Sequence, residues 1–432
     1  MKNHHPTLPR RHFLNLAAAT TGAAMLPVRS TSRLFGADAA SNKITVGFIG
    51  TGGHGIACNL KMFLRQQDAR ILAVCDVKKD ACRRAQEIVH SQYNNKDCAA
   101  YNDFRDILAR DDIDAVMIST PDHWHVLASV MALREGKDVI CEKPTLTIEE
   151  GRILSDTVAK QQAVFQTSTE DRSLPVYHRM AELVRNGRIG KLKTVRVQLP
   201  AGLRYDHEQP APIPEGFDYD LWLGPAPFAP YTAHRTSPMH WRQIWDYSGG
   251  IFSDWGAHQL DTVQWANDTE RTGPIEVSGK GTVNEGSMFN TFIDYQLKFT
   301  YANGVEVFVA SGGTGLKFEG TDGWVGNAAW RKPLEASSTE ILDSKIEANE
   351  THLYTCPGGE HRNFLDCVKS RHDPYLPAEI GHRLATIMHI GNISMKLGRK
   401  LRWNPDTEEF VGDAQANALR HRPMRKPWSL EA

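Results

Sequence analysis

Between residues 44 and 168 the chain alternates short, continuously apolar runs with helix-like segments. The runs are ITVGFIG (44–50), RILAVCD (70–76), DAVMIST (114–120), DVIC (138–141) and AVFQTS (163–168), and the segments between them include HVLASVMALREG and TIEEGRILSDTVAKQQ. Strands that are apolar along their whole length are buried on both faces, and strands alternating with helices of this length pair as parallel neighbours. The pattern predicts an α/β fold with a doubly wound parallel sheet. From about residue 170 the texture changes. One helix, PVYHRMAELVRNGRIG, leads into longer alternating runs, KLKTVRVQL, NTFIDYQLKFTY and VEVFVASG. These predict an α+β domain with an open-faced, mainly antiparallel sheet. Residues 200–247, rich in proline and aromatics, read as loop. A late helix, EIGHRLATIMHIGNISMKLG, closes the fold, and the basic end RHRPMRKPW reads as a solvated tail.

A chain of 432 residues with 41% hydrophobic and 23% charged residues exceeds what one core usually supports, so two domains are expected. The predicted segments are an export signal over 1–40, a nucleotide-binding domain over 41–168, a substrate and oligomerisation domain over 169–415, and the tail over 416–432. A formal net charge of -1 gives no bulk attraction to nucleic acid or anionic membrane, which leaves a small-molecule partner. The first forty residues carry Arg10-Arg11, a mildly apolar stretch from Phe13 to Leu26 and small residues around Ala37-Asp38-Ala39. That order is an export signal, too short to anchor in a bilayer, and RRHFLNLAAA resembles bacterial twin-arginine signals, which implies a periplasmic destination. The seven cysteines show no CxxC spacing, so neither a disulfide framework nor a zinc site is read.

Four stretches carry chemistry. The first strand runs into GTGGHG, placing Gly50, Gly52 and Gly55 at G-x-G-x-x-G spacing, with Gly53 between them. Glycines there allow a tight turn and close approach of backbone to a pyrophosphate at a helix N-terminus. Asp76, at the end of the second strand, is placed to bind ribose hydroxyls and favours NAD over NADP, although Lys78 and Lys79 lie close by. STPDHWH (119–125) turns from a strand's carboxyl end into a helix, so Thr120, Pro121 and His125 should line the cofactor crevice on its nicotinamide side. His123 and His125 lack a third ligand at a recognisable spacing, and no metal site is assigned. Glu142-Lys143-Pro144 ends the DVIC strand at the same edge, where a lysine can donate a hydrogen bond to a substrate oxygen. In GGIFSDWGAHQLDTVQWA (249–266), Asp254, His258 and Asp261 share one face of a helix starting near Ser253. A carboxylate beside an imidazole fixes its tautomer and raises its basicity, as a general base requires; a helix cap and a core histidine is the competing reading. Arg172, His240, Trp241, Arg242 and Asp246 are candidates for a sugar-binding pocket, with loop packing as the alternative.

GTGGHG, Asp76, STPDHWH, ICEKPTLT and SDWGAHQLD, in this order, resemble the glucose-fructose oxidoreductase and inositol dehydrogenase family, often called Gfo/Idh/MocA. The resemblance covers nearly all of the chain after residue 40. It implies a Rossmann domain followed by an open-faced sheet domain, homodimers or homotetramers, a bound NAD with NADP as the alternative, and Lys143, Asp254 and His258 at the family's catalytic positions. His258 is then expected to remove a hydroxyl proton while Asp254 orients it and Lys143 polarises the oxygen. The expected function is hydride transfer between a sugar, glycoside or cyclitol hydroxyl and the nicotinamide. Two alternatives stand beside it: glycoside hydrolysis through transient oxidation and elimination, and a non-catalytic sugar-binding protein on the same scaffold.

Overall fold

The computed structural model describes residues 43–431, so the expected export signal lies outside the described residues. From Ile44 onward the chain forms one compact unit. The first sheet contains β1 (Ile44–Ile49), β2 (Ala69–Cys75), β3 (Ala99–Tyr101), β4 (Ala115–Ile118), β5 (Asp138–Glu142) and β6 (Phe165–Ser168). Their order is β3-β2-β1-β4-β5-β6, with every pair parallel. The chain reverses its direction of winding between β1 and β4, and ligands of such sheets bind outside the carboxyl ends at that point. Helices α1 (Lys79–Tyr93), α2 (Asp122–Arg134) and α3 (Ile148–Gln161) make the longer crossovers. Five strands fall where continuous apolar runs predict them. The sixth, β3, has three partly buried residues, too few for any period to show.

The second sheet has nine strands: β7 (Leu192–Leu199), β8 (Glu276–Val283), β9 (Phe292–Thr300), β10 (Glu306–Ser311), β11 (Leu316–Gly320), β12 (Trp324–Asn327), β13 (Glu335–Ala336), β14 (Leu401–Asn404) and β15 (Glu409–Phe410). Only β7 and β10 run parallel; the other pairs are antiparallel. Along β9 buried Ile293, Tyr295, Leu297 and Phe299 alternate with outward Asp294, Gln296 and Lys298, so one face is packed and one is open. The packed face is covered by α4 (Pro175–Arg185), α5 (Gly250–Ala266) and α7 (Ala378–Leu397), with Phe252, Leu260, Leu384 and Ile390 joining Val195, Phe299 and Val307 in one core.

Two features depart from a linear division of the chain. Helix α6 (Gly359–Ser370) returns to the first domain, where Phe364 and Leu365 pack with Phe48 and Phe63. The basic end, expected to be solvated, is docked. Arg422 pairs with buried Glu150 at 2.7 Å and donates to the His123 carbonyl, and Arg425 donates to the Gly224 carbonyl. Trp428 meets the Trp124 ring edge-on with centroids 4.8 Å apart. Charge alone predicted solvation, but arginine stems and a tryptophan carry enough apolar surface to seat a tail on a protein. Trp428→Ala should lower stability to urea by about 2 kcal/mol, whereas Ala at the exposed neighbour Lys426 should stay within about 0.5 kcal/mol of the parent.

Candidate functional site

The turn after β1 is held closed by its glycines. Gly50 has φ +88°, and a Cβ there would lie 2.6 Å from the Ser119 carbonyl oxygen; one at Gly55 would lie 2.5 Å from the Gly50 oxygen. Gly52 and Gly53 face open space. The loop leads into a π-helical turn, Gly55–Leu60. Asp76, just past β2, accepts from the backbone N–H groups of Thr51 and Lys78, each at 2.8 Å, which fixes its carboxylate at the rim. Burial raises its pKa, opposed by those two N–H groups. These residues, with Thr120, Pro121, Asp122, Glu142, Lys143, Trp241 and Arg242, line a cleft of about 310 Å³. Thr120 Oγ1 and Asp122 Oδ2 are buried there with no partner among the described residues, which is how a cleft shaped for a polar ligand presents itself. Burial pushes Asp122 up to about 6. A glycine cradle, a rim carboxylate and orphaned polar atoms fit a dinucleotide such as NAD. Lys78 is turned away from Asp76 toward Thr236, donating to its hydroxyl at 3.1 Å.

His125 lies under the same cleft with both ring nitrogens 2.8 Å from carbonyl oxygens, those of Thr120 and Pro144. It lines the cleft, as the sequence reading expects, and ties two turns together. His123 is buried with Nε2 against the Trp222 carbonyl, and burial pushes it down to about 3, the behaviour of a neutral core histidine.

Glu142 and Lys143 point in opposite directions. Glu142 accepts from His54 of the glycine turn at 2.9 Å and from Asn59 of the π-helical turn at 2.8 Å. Burial opposes its ionisation, but His54, Lys143 and Asn59 together hold it at about 2. Lys143, joined to Pro144 by a cis peptide, lies 2.9 Å from Asp254 Oδ1 and also donates to the Asp254 carbonyl. Against the cost of burial, Asp254 and Glu142 raise the Lys143 pKa above the ordinary lysine value, so it is an ammonium ion. Arg242 lies 3.3 Å from the same Asp254 oxygen. Two cations on one carboxylate hold Asp254 well below the usual range despite its burial.

Asp254 therefore does not orient His258. That partner is Asp171, whose Oδ2 is 3.0 Å from His258 Nδ1, with Thr169 Oγ1 at 3.3 Å and Glu170 at 3.7 Å. Spacing places Asp254 and His258 on one face of α5, but Asp254 is claimed by a stronger pair. Burial and Lys143 oppose protonation of His258, yet Asp171 and Glu170 raise its pKa above the ordinary histidine value. Asp171 is itself fixed by Trp330, whose Nε1 donates to Oδ1 at 3.0 Å. Trp330 and Trp255 flank the imidazole at 5.6 and 5.9 Å. Asp171 stands three residues past the end of β6, so the carboxyl-end rule that selected Lys143 would have found it. Trp330 arrives from the loop after β12 and has no sequence signal.

The proposed substrate residues separate. Trp241 and Arg242 stand in the cofactor cleft. His240 stacks on Tyr205 at 3.8 Å away from it. Exposed Asp246 borders a different cavity, beside His389 and Lys396. Arg172 is structural: it grips Asp261 through Nε and Nη2 at 2.7 and 2.6 Å and reaches Glu270 at 2.6 Å, all beneath α5. Arg172→Leu strands the fully buried Asp261 carboxylate and should destabilise the fold by about 3–5 kcal/mol in urea unfolding.

Residues 44–169 match the family model described as the NAD-binding Rossmann fold of the Gfo/Idh/MocA oxidoreductases, and residues 179–430 match that family's C-terminal alpha/beta domain. A "Glycosyl hydrolase family 109 protein" of Saccharopolyspora erythraea is 37% identical over 155 residues, 34% of either chain. An "Alpha-N-acetylgalactosaminidase" of Shewanella oneidensis is 32% identical over 173 residues, 35% of this chain and 37% of that one. The match thus spans about a third of the length of these curated relatives. Among solved structures, the WlbA dehydrogenase of Bordetella pertussis, crystallised with NADH and UDP-GlcNAcA, superposes with a TM-score of 0.64 over 84% of this chain and 99% of its own at 16% identity, a likeness of fold.

Proposed function

The chain belongs to the Gfo/Idh/MocA oxidoreductase family, and from that premise we propose that it removes hydride from a CH–OH carbon of a sugar, glycoside or cyclitol, using a tightly held NAD. The observation that carries this reading is the meeting of two charged pairs beside the cofactor cleft: Lys143 with Asp254, and His258 with Asp171. NAD supplies the hydride acceptor. Protonated Lys143 donates a hydrogen bond to the substrate oxygen and stabilises the charge that grows on it. His258, with Nδ1–H donated to Asp171, presents Nε2 to take the hydroxyl proton. The indoles of Trp255 and Trp330 beside it suit the apolar face of a sugar ring. A non-catalytic binding protein has no use for a buried ammonium and a carboxylate-backed imidazole at one point.

The names of the curated relatives favour a second reading, redox-neutral glycoside cleavage in which the same hydride step is followed by elimination and return of hydride. Both readings share every residue role above and part only at the product. Export through the twin-arginine route is part of the proposal, supported by RRHFLNLAAA, and an exported enzyme is served best by a cofactor that stays bound and is recycled.

Protein purified without added nucleotide should release NAD on denaturation. Incubated with a panel of glycosides, it should yield a keto product two mass units lighter with absorbance gained near 340 nm. Free sugar with no net absorbance change would instead establish the hydrolytic reading, and protein that neither contains nor takes up nucleotide would overturn both. The pH profile tests His258. A general base works deprotonated, so kcat should rise with pH through a midpoint above the ordinary histidine value of 6.5, because Asp171 raises it. Asp171→Asn removes that stabilisation of the imidazolium, shifting the midpoint to lower pH and lowering the plateau by about 100-fold or more.

A further inference from the structure

We propose a zinc-class cation site formed by Glu208, His234 and His240, outside the catalytic constellation and unassigned by the sequence reading. One ligand atom from each of these residues lies within 4.8 Å of the other two. A tetrahedral zinc with bonds of about 2.1 Å separates its ligand atoms by about 3.4 Å, so the Glu208–His234 contact at 2.7 Å must open by about 0.7 Å while wider separations, up to 4.8 Å, close by up to about 1.4 Å, movements within the reach of side-chain torsions. Two imidazoles and one carboxylate suit zinc and neighbouring divalent transition metals, and three protein ligands leave a position for water.

The trio is supported from outside. The backbone N–H of His234 donates to Glu208 Oε2 at 3.1 Å, which turns the other oxygen onto His234 Nδ1 at 2.7 Å. The proton shared in that contact occupies the place a cation would take. His240 stacks on Tyr205 with centroids 3.8 Å apart and on His234 at 4.9 Å, so the two imidazoles must turn out of their stack to aim at one ion. Ser287 Oγ in turn donates to the Tyr205 carbonyl at 3.0 Å. The His234 N–H on Glu208 is a contact of the kind that sets a ligand's orientation at a metal site.

Position gives the site its role. His234 and His240 bracket Thr236 and Pro238, both of which line the cofactor cleft, and Lys78 reaches Thr236 from the other wall. Glu208 comes from the separate loop preceding this segment. A cation joining the three pins the strap over the nucleotide to that loop, adding to the hydrogen bonds of Glu208 with His234 and the stack of Tyr205 on His240. The spacings of 26 and 6 residues follow no metal motif, so nothing in the sequence marks them.

The test is a zinc titration of untagged, chelator-treated full-length protein by calorimetry, in two buffers of different ionisation enthalpy. The wild type should take up one equivalent and unfold at a higher temperature with zinc than with chelator. His240→Phe keeps a ring on Tyr205 and removes only the ligand, and Glu208→Gln keeps the side-chain volume. Each should weaken zinc binding by at least about tenfold and abolish the thermal shift, while matching the wild-type melting temperature in chelator. Equal uptake by wild type and both variants would place the ion elsewhere and overturn the proposal, as would failure of the folded wild type to bind zinc. Neither result bears on the hydride-transfer reading, which is measured by nucleotide content and product mass.

Discussion

The contact between Lys143 and Asp254 organises the rest of the molecule. Burying an ammonium ion is costly unless a carboxylate meets it with good geometry, and here the two arrive from different elements, one just past the end of β5 and the other on α5. The ion pair therefore fixes the edge of the parallel sheet against the helix that covers the antiparallel one. Glu142, the preceding residue, turns the other way to His54 and Asn59, so one short turn locks both the glycine loop and helix α5. Pro144 serves the same end, its carbonyl accepting from His125 beneath the cleft.

Helix α5 extends that logic downward. Asp254, His258 and Asp261 line one face, and each is matched by a group from another element: Lys143 from β5, Asp171 from the segment after β6, and Arg172 from the residue beyond it. Adjacent Asp171 and Arg172 thus serve different ends, one directing the imidazole and the other neutralising a carboxylate in the core. Glu360 of α6 adds a further carboxyl near this group, bonded to Ser168 Oγ at 2.8 Å. Burial, with Glu142 and Glu170 nearby, raises its pKa well above the usual carboxylate value.

Much of the fold was legible because its determinants are local. An apolar run marks a doubly buried strand, and GTGGHG permits a turn whose Gly50 adopts φ +88° against the Ser119 carbonyl. Lys143 and His258 were singled out by motif, and Lys143 also by its position at a strand end. The error at Asp254 is instructive, since spacing showed correctly that it shares a face with His258 but could not weigh the competition for it. Two cations outbid one imidazole, and both come from more than ten residues away. The same limit applied to Arg172, a plausible ligand contact until Asp261 and Glu270 closed around it, and to Trp330, 159 residues from the aspartate it fixes.

What the sequence determined by itself is the set of elements and the chemistry stationed at their ends: strand runs, the glycine cradle, Asp76 at the rim, and a lysine and a histidine available for catalysis. These depend on periodicity and turn stereochemistry, which act over a few residues. The tertiary structure alone decided which charges pair, that the basic end docks on the first domain, that α6 crosses back to it, and that Asp171 backs His258. Those outcomes rest on distances between segments remote in the chain. In a desolvated interior, one ångström determines which carboxylate an imidazole or an ammonium ion will hold.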